Sequence, residues 1–306
     1  MSSVLVLGAN SFSGLALIPE LLSQGMAVHA VSRSSLNIPP HPDLFLYKGS
    51  MGDSRLLRRI LPKCEKVFHL ASSSTPGVSS RHPVIEGTQN ILPTLRFIEA
   101  AQSFPDLHII YVSSGGAIYG NTEIPRVIED DKTNPISYYG AGKASIEIFF
   151  HTLHNNTGNK LTVVRPSNLY GPGQHFRKSF GLIRTLLEHI INDRNIEIWG
   201  DGSSVRDYLY IDDYIEACLK IVNSKDKTSA DTYNIGSNKG HSINEIIHVI
   251  ENVVGKKLKT VYRPGRSSDV NSIILDTTRF CNQYNWAPAT DLRTGITRTW
   301  EWLKKQ

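Results

Sequence analysis

The feature that most constrains this chain is its first two dozen residues. Val4-Leu5-Val6-Leu7 is a continuous apolar run, residues 8–14 form a glycine-containing turn, and Leu15, Leu17, Ile18, Leu21 and Leu22 then recur at helical spacing. A buried strand, a tight turn and a helix make the opening half of a β-α-β unit, and the pattern continues. Residues 27–31, 44–47, 66–70 and 108–112 read as further strands, with helical patterns over 54–61 and 84–101. Strands alternating with helices imply an α/β fold around a doubly wound parallel sheet. Its ligand is expected beyond the carboxyl ends of the strands, where the loops after Leu7, Ser32, Leu70, Ser113 and Pro166 converge.

After a further strand at 161–164 the alternation loosens, and Gly171-Pro172-Gly173 opens a region of helices, short strands and loops. The expected division is a domain over 1–170 and a smaller one over 171–306, with some segments interleaved; 306 residues suffice for two domains at about 150 each. The Ser-, Lys- and Asp-rich stretch 223–231 reads as a surface excursion. There is no repeat of fixed period.

Charge narrows the partners. Thirty-three Lys and Arg against 28 Asp and Glu leave a net +5 spread along the chain, too mild to point to nucleic acid. The densest basic stretch, Lys256, Lys257, Lys259, Arg263 and Arg266, reads as a solvated face. The three cysteines Cys64, Cys218 and Cys281 are too scattered for a disulfide framework or a zinc site and read as reduced core thiols. No apolar run approaches the about 18 residues of a membrane span, and the first basic residue is Arg33, so neither a membrane segment nor a secretory leader is expected. The expected compartment is the cytoplasm.

The first turn, Gly8-Ala9-Asn10-Ser11-Phe12-Ser13-Gly14, has the spacing of a dinucleotide fingerprint, with Ser11 in place of the middle glycine. A glycine turn between any strand and helix looks similar, so the cofactor reading stands beside a purely structural one. At the end of the second strand an acidic residue would hold the adenosine ribose of NAD; this chain has Ser32-Arg33-Ser34, a hydroxyl and a guanidinium able to accept a 2′-phosphate, which keeps NADP open. Tyr139 and Lys143 are four residues apart on a predicted helix and share one face, and no other tyrosine in the chain has a lysine at that spacing. An ordinary helical pair has the same form. Its context is a strand ending in Ser113-Ser114-Gly115-Gly116, followed by Tyr119-Gly120. A nearby ammonium favours phenolate and makes the phenol a usable base for a sugar hydroxyl.

At this point the chain resembles the extended short-chain dehydrogenase/reductase superfamily and, within it, the NAD-dependent nucleotide-sugar epimerases and dehydratases, UDP-glucose 4-epimerase-like proteins above all. The resemblance spans nearly the whole length: the Gly8 turn, His69-Leu70-Ala71, Ser113 to Gly120, Tyr139 to Lys143, Arg165-Pro166-Ser167-Asn168, Tyr170-Gly171-Pro172-Gly173, Trp199-Gly200-Asp201-Gly202, Val205-Arg206-Asp207-Tyr208, and Arg266 with Asp269. It implies a Rossmann-type domain followed by a smaller C-terminal α/β domain that binds a nucleotide sugar. The implied cofactor residues are Gly8, Asn10, Ser11, Phe12, Gly14, Ser32, Arg33, Ser50, Met51, Leu70, Ala71, Ser113, Tyr139, Lys143 and Pro166. It implies Tyr139 as acid and base, with Lys143 holding the nicotinamide ribose and lowering the tyrosine pKa. Asn168 is implied at the diphosphate, Arg206 and Arg266 as its clamp, and Asp269 at the uridine ribose. Without the resemblance, Arg206 with Asp207 and Arg266 with Asp269 read as surface ion pairs. A homodimer is implied through apolar helix residues Ile91, Leu92, Leu95, Phe97, Ile98, Ile146, Ile148, Phe149 and Phe150, which serve equally as packing against the sheet.

The sequence departs from the family in four places. The triad hydroxyl falls on Gly115, and Ala117 also lacks one, so Ser114 or Ser113 is expected to substitute; Ser114 is taken as the third catalytic residue. Ser32 replaces the ribose carboxylate, Ser11 the middle glycine, and Val84 an asparagine ahead of Gly87-Thr88. Dehydratases carry an Asp-Glu pair where this chain has Gly116 and Ala117, leaving no proton donor for loss of water. The expected activity is therefore 4-epimerisation of a UDP-hexose with NAD. The alternatives are an NADP(H)-dependent 4-keto-sugar reductase and a cofactor-binding relative without turnover. Trp286, Trp300 and Trp302 are expected to pack the core, His69 stands either beside the cofactor or in the core, Ile273 lies near the sugar pocket, and no metal is expected.

Overall fold

A computed structural model describes residues 2–75, 82–177, 180–224, 230–265 and 270–306. In chain order the elements are β1 (Ser3–Leu7), α1 (Phe12–Ser23), β2 (Ala27–Ser32), β3 (Leu44–Lys48), α2 (Ser54–Ile60), β4 (Lys66–His69), α3 (Pro83–Glu86), α4 (Leu92–Ala101), β5 (His108–Val112), α5 (Gly115–Ile118), α6 (Tyr138–Thr157), β6 (Leu161–Pro166) and β7 (Asn168–Tyr170). There follow α7 (Leu182–Ile191), β8 (Ile196–Trp199), β9 (Val205–Tyr210), α8 (Ile211–Asn223), β10 (Ala230–Ile235), β11 (Gly240–Ser242), α9 (Ile243–Val254), β12 (Thr260–Arg263), β13 (Ser272–Ile273), α10 (Thr278–Tyr284) and α11 (Leu292–Leu303).

Two compact units emerge, each assembled from three segments: 1–114, 137–165 and 215–233 in the first, 115–136, 166–214 and 234–306 in the second. The first is built on a seven-stranded sheet in the order β10-β6-β5-β4-β1-β2-β3, with the β1–β2, β2–β3, β1–β4, β4–β5 and β5–β6 pairs parallel. The strand order reverses beside β1, the switch point where such sheets open a crevice. Leu5 and Leu7 of β1, Val67, Ile109, Tyr111 and Val163 join Phe97, Ile146, Phe150 and Leu153 from the helices in one core. Ile146, Phe150 and Leu153 follow helical spacing and turn one face of α6 to the sheet, while Ile148 and Phe149 are 67% and 39% exposed and Leu92 of α4 is 44% exposed. The apolar helix residues thus divide between core and surface.

Not every expected element keeps its form. The helix expected over 84–101 is α3, a π-helical turn at Gly87–Ile91, and α4. The cause is Pro93, which has no N–H to return to the preceding turn, so the ladder shifts by one residue and Leu92 N–H reaches Gly87 O. Cys218 is buried, but Cys64 and Cys281 are only half-buried, so the core-thiol expectation holds for one of three. Trp286 is buried edge-on against Phe280 at 5.3 Å, whereas Trp300 and Trp302 stay partly open on α11, whose core face is carried by Ile296, Thr299 and Leu303. Among the described residues no helix is long and apolar enough to cross a membrane.

The second unit has a four-stranded sheet, in which β9 pairs with β7, β11 and β13, and a β8–β12 pair. Its basic stretch is neutralised locally: Lys256 pairs with Asp193 at 2.8 Å, Lys259 with the same carboxylate, Lys257 with Glu251 at 2.6 Å and Arg263 with Glu197 at 2.9 Å. This is the solvated face the sequence suggests; Arg266 lies outside the described residues, as do 225–229 of the surface excursion.

Candidate active site

In the first unit the turn after β1 is shaped for close approach. Gly8 sits at φ +88°, and a Cβ there would stand 2.7 Å from Ala71 N, so only glycine lets the β1 and β4 ends touch. Ser11, where the fingerprint has a glycine, caps α1: its Oγ accepts the Gly14 N–H at 3.0 Å. The first-turn N–H groups of α1, at Phe12 and Ser13, point out of that cap, the arrangement that receives a pyrophosphate. Asn10 Nδ2 donates to Ser34 Oγ at 2.8 Å and ties this turn to the one after β2. Ser32 is buried with its Oγ accepting the Ser34 N–H at 3.2 Å, and Arg33 is exposed. Ser50 closes a small turn onto Gly52, Met51 is buried, and Leu70 N–H bonds Leu7 O at 3.0 Å. The residues present fit a dinucleotide: a helix N-terminus, a glycine that admits close backbone approach, and buried apolar walls.

Tyr139 and Lys143 occupy the first turns of α6, started by Ser137, whose Oγ accepts the Gly140 N–H. The Ser114 hydroxyl acts on the Tyr139 phenol and favours its ionised form, and Lys143 Nζ stands 5.9 Å from the Tyr139 ring, so the structure brings together Ser114, Tyr139 and Lys143. Tyr139 keeps part of its surface open, yet the protein packed around it pushes its pKa up to about 12; the Ser114 hydroxyl pulls it back and the Glu86 carboxylate raises it further. The sequence led us to expect a phenol lowered by Lys143; here burial raises it, and Lys143 is not among the groups that set the shift. Lys143 is buried, with Nζ donating to Val112 O at 2.7 Å and standing 5.1 Å over the Tyr111 ring. Burial pushes its pKa down to about 8, while Glu86 and Glu147 hold it up, so it is an ammonium at pH 7.

His69 is a core histidine, edge-on to Phe97, Tyr111 and Phe150, and burial pushes its pKa down to about 3. Val84, at the family's asparagine position, is 72% exposed. The sequence reading missed the polar residues behind the pair. Glu147 and Arg165 form a buried ion pair at 2.7 Å. Glu86 and Asn90 are buried together, and the legible signal was Gly142, a mid-helix glycine whose Cβ would collide with the Glu86 carboxylate.

In the second unit, Gly116, Ser167, Asn168, Asp207, Ile273 and Leu275 meet around a shallow depression too tight to hold a water molecule. Asn168 Nδ2 donates to Asp207 O at 3.0 Å. Strand alternation sends Arg206 and Asp207 to opposite faces, which overturns the ion-pair reading. Asp207 is buried and accepts from Ser237 N–H and Oγ at 2.8 Å each, while Arg206 donates to Val205 O at 2.8 Å and to Val270 O. Burial raises the Asp207 pKa and the Ser237 donors oppose it. Arg266 and Asp269 fall outside the described residues. Gly115, Gly116 and Ala117 place no proton donor after Ser114.

Residues 4–236 match the NAD dependent epimerase/dehydratase family. The crystal structure of UDP-glucose 4-epimerase from Thermotoga maritima, with UDP-glucose, is 31% identical and covers 99% of both chains with a TM-score of 0.92. That of the Thermus thermophilus UDP-glucose 4-epimerase, in complex with NAD, is 26% identical over 99% of both chains with a TM-score of 0.90. A dTDP-4-dehydro-6-deoxyglucose reductase of Escherichia coli is 29% identical over 96% of this chain and 95% of its own. Taken with the Gly8 turn and the Ser114-Tyr139-Lys143 cluster, these likenesses establish that the chain belongs to the NAD dependent epimerase/dehydratase family.

Proposed function

We propose that this chain is a UDP-hexose 4-epimerase that uses NAD, with Tyr139 as its acid and base. The observation that carries this reading is the Tyr139 phenol, partly open to a ligand and one helical turn from the Lys143 ammonium, whose Nζ stands 5.9 Å from its ring. Tyr139 Oη takes the proton of the sugar C4 hydroxyl and later returns it to C4–O. NAD, when bound, would supply the reversible hydride acceptor for C4. Ser114 steadies the phenol by hydrogen bonding, and Lys143 holds the nicotinamide ribose.

In this reading the first unit carries the dinucleotide, through Gly8, Asn10, Ser11, Phe12, Gly14, Ser32, Arg33, Ser50, Met51, Leu70, Ala71 and Ser113, with Pro166 closing the end of β6. The second unit carries the nucleotide sugar, through Asn168, Arg206, Arg266 and Asp269. Turning the keto sugar over demands a fixed diphosphate and a loose hexose, which suits guanidinium contacts at the phosphates. Denaturing the purified protein should release NAD by mass spectrometry, and the same preparation should interconvert UDP-glucose and UDP-galactose without added oxidant. Stoichiometric consumption of NADPH with no interconversion would instead establish the reductase, the alternative favoured by the exposed Arg33 beside Ser32.

The exposed Ile148 and Phe149 of α6 and Leu92 of α4 support a homodimer through these helices. Ile148→Lys with Phe149→Glu should then sediment as a folded monomer; a wild-type protein that is itself monomeric refutes the dimer. A cytoplasmic location fits the three free thiols.

A further inference from the structure

Behind the Tyr139-Lys143 pair lies a carboxylate that the proposed chemistry does not use. Glu86, the last residue of α3, is 3% exposed. Ser74 Oγ donates to its Oε2, and Asn90 Nδ2 donates to its Oε1 at 2.9 Å. Asn90 Nδ2 also reaches Ser74 Oγ at 2.8 Å, and Asn90 Oδ1 accepts the Ser73 N–H at 2.7 Å, so the loop after β4 and the π-helical turn are locked around one acid. The opposite wall is Gly142 of α6, where any side chain would collide with the carboxylate. Gly142 lies one helical turn from Tyr139 and next to Lys143, so the acid rests against the backbone that carries both. An acid is rarely sunk this deep without charge to meet.

We propose that Glu86 is a positioning residue: clamped by Ser74 and Asn90 against Gly142, its carboxylate holds Lys143 as an ammonium ion and Tyr139 as a phenol. A negative charge stabilises an ammonium and opposes a phenolate, so removing it lowers both titrations. Among the other groups facing the pair only Glu147 adds negative charge, and it acts on Lys143 and not on Tyr139. Glu147 of α6 also faces Lys143 but is tied to Arg165 of β6. Tyr111 of β5 lies under Lys143, His69 of β4 is neutral in the core, and Ser114 contributes only its hydroxyl. The inference rests on the epimerase reading for its catalytic consequence; its electrostatic part rests on the Glu86 carboxylate packed against Gly142 beside Lys143 and on the pull of that carboxylate on Lys143 and Tyr139.

In NAD-loaded Glu86→Gln, the 15Nζ resonance of Lys143, assigned by its loss in Lys143→Arg, should titrate about one pH unit or more below wild type. Both limbs of the pH profile for UDP-glucose epimerisation should move to lower pH with it, at little change in KM. Glu86→Asp, which keeps the charge, should restore the wild-type midpoint. Gly142→Ala, whose methyl group displaces the carboxylate, should shift the midpoint in the same direction, and it decides the question if Glu86→Gln does not fold. A Lys143 midpoint within about 0.3 unit of wild type in the folded Glu86→Gln or, failing that, Gly142→Ala protein overturns the proposal. So does a Glu86→Asp protein shifted as far as Glu86→Gln. A wild-type protein that turns over no UDP-sugar overturns the epimerase reading instead, and the Lys143 titration still decides the role of Glu86.

Discussion

Tyr139→Phe should lower UDP-glucose epimerisation by about 10³-fold or more while leaving the thermal transition and the bound NAD unchanged. The substitution removes one oxygen and keeps the ring, so packing at the head of α6 is preserved. It takes away the hydroxyl, acted on by Ser114, that we assign as acid and base. Ser114→Ala leaves that hydroxyl and removes only its partner, so the expected loss is smaller, about 10²-fold. The order of the two effects is the useful readout. If Tyr139→Phe retains turnover near that of Ser114→Ala, the proton is carried elsewhere and the assignment of Tyr139 is wrong. Burial pushes the phenol up to about 12, so positive charge beside it, such as the Lys143 ammonium and the nicotinamide ring of bound NAD, is what would favour the phenolate.

The second large effect is on stability. Arg165→Met should cost about 3–5 kcal/mol in denaturant unfolding, because it leaves Glu147 charged and unpaired inside the first unit. The pair is made by Arg165 Nη2 and Nε on one carboxylate, at 2.7 Å and 3.1–3.2 Å, with side chains 8% and 6% exposed, so solvent does little to screen it. Arg165→Met combined with Glu147→Met should recover most of the loss, since two apolar side chains of similar size remove both charges together. A cost below about 1 kcal/mol for the single variant would mean that water or another cation reaches Glu147.

Much of the first unit was legible. Strands at 4–7, 27–31, 66–70 and 108–112 fall on β1, β2, β4 and β5 because a parallel sheet covered on both faces forces continuous apolar runs, and 44–47 falls on the edge strand β3, where Phe45 and Leu46 are exposed. The Tyr139-Lys143 face was legible for a similar reason: helical spacing alone puts positions four apart side by side. Where the reading failed, the deciding contact was remote in sequence. The π-helical turn was written in Pro93, but no local pattern showed that Glu86 and Asn90 would be buried beside it. Arg206 and Asp207 looked like partners as neighbours in sequence, yet a strand turns consecutive side chains apart, and Asp207 found Ser237 instead.

The sequence by itself determined the order of strands and helices, the glycine turn after β1, and which residue types could carry a proton. These follow from periodicity and from backbone angles that few residues adopt. Only the tertiary structure decided the charge states at that site, because they depend on desolvation and on what stands opposite. Glu86, held by Ser74 and Asn90, meets Gly142 across more than fifty residues of chain. No pattern of spacing encodes that meeting; the packing of α6 against the α3–α4 region creates it.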